Sequence, residues 1–138
     1  MTEQVTVITP IQIRFGDIDI FHHVNNVSQQ SYFDLGKMDY FEKVAGVNIT
    51  SDTPRIVAVS TATNYFGQIR VRDDIAVVTC VEKIGNKSLT LFQRIVCGDE
   101  VRTESRSVMV AFDFDRQISV PVPDEWRDKM LGQTQSRE

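Results

Sequence analysis

The sequence predicts an α+β domain, an antiparallel sheet of about five strands with one long helix to cover a face of it. Three observations carry the prediction. Apolar residues keep a two-residue period before position 16, recur at spacings of three and four between positions 26 and 46, and return in four strand-like runs after position 55. The order is therefore strand, long helix, then an antiparallel meander of four strands. A sheet built this way has one face to bury, and a single long helix can bury it.

Val5, Val7, Ile11, Ile13 and Phe15 occupy odd positions, the period of a half-buried first strand. Carried forward, that period reaches Asp17 and Asp19, so two acids fall where core residues are expected. His22, His23, Asn25 and Asn26 follow at once. Asn25 and Asn26 are N-cap residues by type, ahead of VSQQSYFDLGKMDYFEKVAG. Phe33, Gly36, Tyr40 and Val44 then give a helix of about five turns an apolar face, with Gly46 placed to end it. Gly36 in mid-helix costs up to about 1 kcal/mol relative to Ala, which predicts that another backbone comes close there. After the polar loop NITSDTPR, strands are expected over 56–66, 74–84, 88–96 and 101–113, with GNK and CGDE as turns. The closing RQISVPVPDEW carries prolines that bar further pairing, ahead of a short polar tail.

At 138 residues the chain is read as one domain over 1–138, and its hydrophobic fraction of 41% is enough to bury a real core. Fifteen Lys and Arg against nineteen Asp and Glu leave a net charge of −4, which argues against a nucleic-acid partner. No apolar run approaches the roughly 20 residues of a membrane span, and MTEQVTVIT lacks the pattern of an export signal, so a cytoplasmic protein with no membrane partner is expected. Cys80 and Cys97 lie inside strand-like runs with no ligand-type neighbour, the setting of buried structural thiols.

No G-x-S-x-G elbow, P-loop or G-x-G-x-x-G occurs in the chain. Asp17, Asp19, His22 and His23 are ligand types, but adjacent histidines diverge and no further cluster completes a metal site, so no metal is expected. Position is more informative. The acids and histidines lie between the end of the first strand and the start of the only long helix. A helix N-terminus presents unpaired N–H groups and partial positive charge, which suit a developing oxyanion. A carboxylate beside it can act as nucleophile or general base toward a carbonyl polarised there. That combination is what acyl transfer to water requires.

DIDIFHHVNN followed by SYFDLGKMDYF resembles the hotdog-fold acyl-CoA thioesterases of the 4-hydroxybenzoyl-CoA thioesterase-like group. NYFGQIRVRDDIAV, GNKSLTLFQRIV and RQISVPVPDEW are similar to later segments of that family, so the likeness spans about residues 5 to 130. It departs at Gln68, where the family usually has proline, at Asp73–Asp74, where it has Gly-Asp, and at Gln29 and Ser31, where it commonly has an aromatic and a Glu. The resemblance implies a sheet wrapped around a central helix and metal-free hydrolysis of an acyl thioester of coenzyme A or acyl carrier protein without a bound cofactor. It also implies assembly as a homodimer or homotetramer. Asp19 matches the catalytic acid, and His23, Val24, Asn25 and Asn26 match the family's H-V-N-N, with backbone N–H groups around Val24 to Asn26 as the oxyanion donors. Arg70, Arg72 and Lys87 are the cations expected to hold coenzyme A phosphates.

Two rivals share these residues. GDIDIFH partly resembles the G-D-x-N-P-x-H motif of hotdog enoyl-CoA hydratases, with Asp17 and His22 at the hydratase spacing but Asp19 and Ile20 in place of Asn and Pro. The second is a domain that keeps the fold and binds an acyl or aromatic group without turnover.

Overall fold

The computed structural model describes residues 5–48 and 55–132. Most of the NITSDTPR loop and the polar tail lie outside the described residues. Strand β1, Thr6–Ile11, is followed by a 3-10 turn over Phe15–Asp17 and by helix α1, Asn26–Tyr40. Strands β2 (Ile56–Tyr65), β3 (Ile75–Ile84), β4 (Ser88–Cys97) and β5 (Glu100–Asp113) come next. A two-residue strand β6, Ile118–Ser119, and helix α2, Asp124–Met130, close the chain.

The alternation that opens the sequence does not continue to the acids. β1 ends at Ile11, and Phe15 is 93% exposed on the turn that follows. Asp17 and Asp19 therefore leave the strand rather than finish its core face. Asn25 is the N-cap of α1, its side chain accepting the Ser28 amide at 2.7 Å, and Asn26 is the first helical residue. The last turn widens to a π turn over Phe41–Ala45, and Gly46 ends it in the left-handed conformation, φ 73°, as its place in the sequence anticipates.

The sheet order is β1-β3-β4-β5-β2, all antiparallel, with β6 on the end of β5. Only β3, β4 and β5 form a sequential meander. β2 crosses to the far edge, because its partner is β5 rather than β3. The register shifts between Ala58 and Ser60, between Val81 and Lys83, and between Ile95 and Val96; such bulges bend and twist strands, which lets the sheet curl around α1. Bulge positions leave no trace in apolar alternation. β6 stops before Pro121 and Pro123, yet the segment beyond them folds as α2, which buries Trp126 and Met130 against Phe41 and Leu89 in one apolar cluster.

The core is in two parts. Tyr40, Val81, Leu91 and Met109 lie in the cluster with Trp126, whereas Phe33, Val77, Ile95 and Ile69 lie in the other, beneath the start of α1. Between them the inward face is polar: Thr79 stands opposite Gln93, and Gln93 opposite Ser105, all three essentially inaccessible. Gly36 rests on this level. A β-carbon there would lie 2.6 Å from Val77 Cγ1, 2.9 Å from Gln93 Nε2 and 3.1 Å from Thr79 Oγ1. Side chains of the sheet, not a second backbone, thus require the glycine. Gly36→Ala is expected to lower stability by about 1–3 kcal/mol despite its better helix propensity, because the packed neighbours must shift. Urea unfolding followed by circular dichroism measures this, and a variant as stable as wild type contradicts the close fit.

Candidate active site

Asp19 begins a tight loop at the mouth of α1. Its amide donates to the His23 carbonyl at 2.9 Å, and its own carbonyl accepts the His22 amide at 3.0 Å. The carboxylate oxygen Oδ1 accepts the Phe21 amide at 2.9 Å and the His23 amide at 3.2 Å. The other oxygen, Oδ2, has no hydrogen-bond partner among the described residues. His22 takes a left-handed conformation, φ 68°, to close the loop, a geometry histidine visits more readily than most residues. The loop is docked by an Ile18–Val24 bridge and by the Val24 amide on the Ile69 carbonyl at 2.8 Å.

Three helix-mouth amides were expected to serve an oxyanion, and two are already engaged. Val24 N–H donates to Ile69 and Asn25 N–H to the Asp17 carbonyl, at 2.8 and 2.9 Å. That expectation is corrected for Val24 and Asn25, since a donor fixed on a protein carbonyl is not available to a ligand. Asn26 and Val27, the first two residues of α1, keep amides with no acceptor among the described residues, the ordinary state of a helix N-terminus. Both residues are exposed. His23 is half-buried beside the loop, and Val24 is buried beneath it.

Asp17 has a different surrounding. Its Oδ2 accepts the Tyr32 hydroxyl at 2.6 Å and the Arg14 amide at 3.0 Å, and its Oδ1 accepts the Ser28 hydroxyl at 3.1 Å. Burial pushes its pKa up, but the hydrogen bonds from Tyr32, the Arg14 amide and Ser28 outweigh that and hold the carboxyl below the usual range. Burial, then the hydrogen bond to Asp17 and its charge, push the Tyr32 phenol up. Asp17 is thus a knot joining the 3-10 turn to the first turns of α1. Both of its oxygens are taken by hydrogen bonds within the chain, and His22 is exposed on the neighbouring loop.

Arg70 and Arg72 are exposed on the 66–74 loop, which reaches the site through Ile69. Arg102 clamps that loop, donating to the Gln68 carbonyl at 2.6 Å and to Asp73 at 2.9 Å, while Glu100 holds the guanidinium from the other side at 2.8 Å. The Arg70 amide on its carboxylate is the first reason the Asp73 pKa falls, with Arg102 adding to it. Lys87 does not join the two arginines within one chain. It lies in the turn between β3 and β4, where its carbonyl accepts the Ala111 amide, so the ten residues of β3 separate it from the site by about 30 Å.

Sequence reading missed the polar groups behind the helix mouth. Gln29, 3% exposed, accepts the Thr103 hydroxyl at 2.6 Å. Gln30 reaches from α1 to the Thr63 hydroxyl at 3.0 Å on β2. A signal existed: Thr103, Ser105 and Ser107 occupy the alternate positions of β5 that carry Met109 and Ala111 further on. Cys80 and Cys97 are half-buried free thiols, and burial pushes the Cys80 thiol up, which keeps it protonated and unreactive. Among the described residues no helix is long and apolar enough to cross a membrane, and no three His, Cys, Asp or Glu side chains are grouped to hold a metal ion.

A curled antiparallel sheet around one long helix defines the hotdog class of α+β proteins. The model of the thioesterase-like superfamily matches residues 13–130, and the chain belongs to that superfamily. A predicted thioesterase from Bacillus stearothermophilus is 29% identical and superimposes with a TM-score of 0.85, over 94% of this chain and 96% of that one. An Asp-to-Asn variant of 4-hydroxybenzoyl-CoA thioesterase, complexed with 4-hydroxybenzoyl-CoA, shares the fold with a TM-score of 0.79 at 17% identity, over 91% of this chain and 98% of that one. The uncharacterized protein YsmA of Bacillus subtilis is 30% identical over 81 residues, 59% of this chain and 54% of that protein. The match thus spans about half the length of this curated relative.

Proposed function

We propose that the protein is a cytoplasmic acyl-CoA thioesterase that hydrolyses its substrate with the Asp19 carboxylate and without a metal. One observation carries the reading: Asp19 is anchored by two amides on one oxygen, and among the described residues its other oxygen and the first two amides of the helix mouth have no partner. The free Oδ2 attacks the thioester carbonyl, or takes a proton from the water that does. Charge growing on the carbonyl oxygen is met by the Asn26 and Val27 amides and the positive end of the helix. Coenzyme A leaves as the thiol, and water supplies the hydroxyl of the free acid. His23 and Asn25 shape the site, and Arg70 and Arg72 sit where phosphates of the thiol can be met. Support for acyl-CoA as the substrate comes from the superfamily and from the relative that holds 4-hydroxybenzoyl-CoA.

The test is release of free thiol from a panel of acyl-CoA and acyl carrier protein thioesters after treatment with a chelator. Hydrolysis of at least one is expected. Activity that vanishes on chelation and returns with zinc overturns the metal-free mechanism, and tight acyl-CoA binding with no hydrolysis selects the non-catalytic domain instead.

The working unit is proposed to be a dimer or a dimer of dimers. β2 is an edge strand of ten residues, and a long free edge is a template for pairing. Val59, Tyr65 and Phe66 on and beyond it, and Phe15, Ile20, Phe21 and Val27 around the Asp19 loop, are large apolar residues at 44–93% exposure. β1, the other edge, is six residues long and carries Pro10, which removes a donor. Sedimentation equilibrium at micromolar concentration is expected to give the dimer or tetramer. An active monomer contradicts a site completed by pairing, and with such pairing Lys87 of a second copy becomes the only route by which that residue reaches the phosphates.

A further inference from the structure

A trans peptide unit is planar and points its C=O and its N–H in opposite directions, so a hydrogen bond at one edge fixes where the other edge points. Two such units join the Asp19 loop to the 66–74 loop. The Asp19 amide donates to the His23 carbonyl at 2.9 Å. The N–H of that same unit belongs to Val24 and donates to the Ile69 carbonyl at 2.8 Å. The N–H of the Ile69 unit belongs in turn to Arg70 and donates to Asp73 Oδ2 at 2.9 Å. The donors thus run head to tail from Asp19 through two peptide units to one carboxylate, an arrangement in which each bond polarises the next.

Arg102 of β5 closes the chain. Its Nη1 donates to the same Asp73 oxygen at 2.9 Å, and to the carbonyl of Gln68 at 2.6 Å. Its own carbonyl accepts the Phe66 and Gly67 amides at 2.8 and 3.0 Å. One ion pair therefore holds both peptide units that flank Ile69, and its two side chains are only 15% and 24% exposed. The Arg70 amide first, with Arg102 adding to it, holds the Asp73 carboxyl below the usual range despite its burial, so a charged acceptor stands there at neutral pH.

Resting on the reading of Asp19 as the reacting carboxylate, we infer that Asp73 and Arg102 are positioning residues for hydrolysis: the pair orients the 69–70 peptide unit, whose carbonyl holds Val24 and so keeps the Asp19 loop in place at the helix mouth. Both act through the backbone, and neither has to touch the substrate. The role is separate from that proposed for Arg70 and Arg72, whose side chains meet the phosphates of the thiol and so act on KM. Without the clamp the 69–70 unit is free to turn, Val24 loses its acceptor and the Asp19 loop shifts. A displacement of about 1 Å in a reacting group is enough to cost roughly 100-fold in rate.

Amide hydrogen exchange of the full chain, followed by NMR, reads the link directly. In Asp73→Ala and, separately, in Arg102→Met, Val24 is expected to exchange about tenfold or more faster relative to Asn25, whose amide rests on the Asp17 carbonyl instead. Comparing neighbours cancels a general loss of stability, and two variants on opposite sides of the ion pair keep the test open if one does not fold. The same variants should lower kcat by about 10–100-fold with little change in KM. Asp73→Asn, whose amide oxygen can still accept both donors, is expected to keep Val24 protected and turnover within a few-fold of wild type. Exchange at Val24 and Asn25 that rises together in both variants, or a kinetic effect confined to KM, overturns the inference and leaves the thioesterase standing. An Asp73→Asn protein as impaired as Asp73→Ala also overturns it, because orientation is then not what the pair supplies. Wild-type turnover in a folded Asp19→Asn protein overturns the underlying reading instead, whatever the exchange at Val24 shows.

Discussion

Asp19→Asn is expected to lower kcat for thioester hydrolysis by about 10²–10⁴-fold while KM moves little. The anchoring amides of Phe21 and His23 both donate to Oδ1, so the asparagine must present its oxygen to them. Its NH2 then takes the place of Oδ2. A donor stands where the basic and nucleophilic oxygen stood, with the loop undisturbed. Steady-state kinetics on the best thioester of the panel reads the effect, and circular dichroism shows that the helix start has survived. Wild-type turnover in a folded Asp19→Asn protein removes Asp19 from the mechanism. If turnover is instead abolished by His22→Ala and the product is a 3-hydroxyacyl-CoA made from an enoyl-CoA, the hydratase reading replaces it.

Asp17→Ala is expected to act on stability, by about 3 kcal/mol and roughly 10 °C in Tm for a chain of this size. The substitution removes the acceptor for Ser28, for the Arg14 amide and for the Tyr32 hydroxyl, and Tyr32 is 6% exposed. Turnover below the unfolding temperature should stay within a few-fold of wild type, because the helix mouth is held by the Asp17 carbonyl, which alanine keeps. The pH dependence has a definite sign. The folded-state pKa of Asp17 lies below its ordinary value of 3.8, so its contribution is present above that value and is lost as pH falls through the folded pKa. The stability difference between wild type and variant should therefore be constant near neutrality and shrink below about pH 4. A difference that is flat into that range, or a loss of kcat as large as that of Asp19→Asn, shows that Asp17 is not the structural knot.

The contrast between the two acids was partly legible in the residues. Local signals sufficed for elements whose chemistry is local. Asn25 caps α1, Gly46 ends it, and β2 to β5 begin and end within a residue of the positions that the turn residues indicate, because caps and turns are decided by a few adjacent residues. The likeness of DIDIFHHVNN to the thioesterases pointed to the superfamily to which the chain belongs. The residues also placed the acids at the mouth of the one long helix, and so set out the chemistry to be tested there.

What pairs with what was decided by the tertiary structure. β2 lies beside β5, and no alternation in either strand says so, since register and partner depend on the whole sheet closing around the helix. The same closure carries the 66–74 loop to Val24 and occupies the amides of Val24 and Asn25 with carbonyls from distant or looped segments, leaving the Asn26 and Val27 amides without an acceptor among the described residues. Gly36 could be read as a close approach, but only packing reveals that Val77, Gln93 and Thr79 are what approaches. Pro121 and Pro123 suggested an end to ordered pairing, and β6 does stop before them, yet α2 follows because Trp126 and Met130 find an apolar cluster built by other strands. Short-range preference sets caps, turns and periods. Long-range burial chooses the partners, and with them which helix-mouth amides are already engaged.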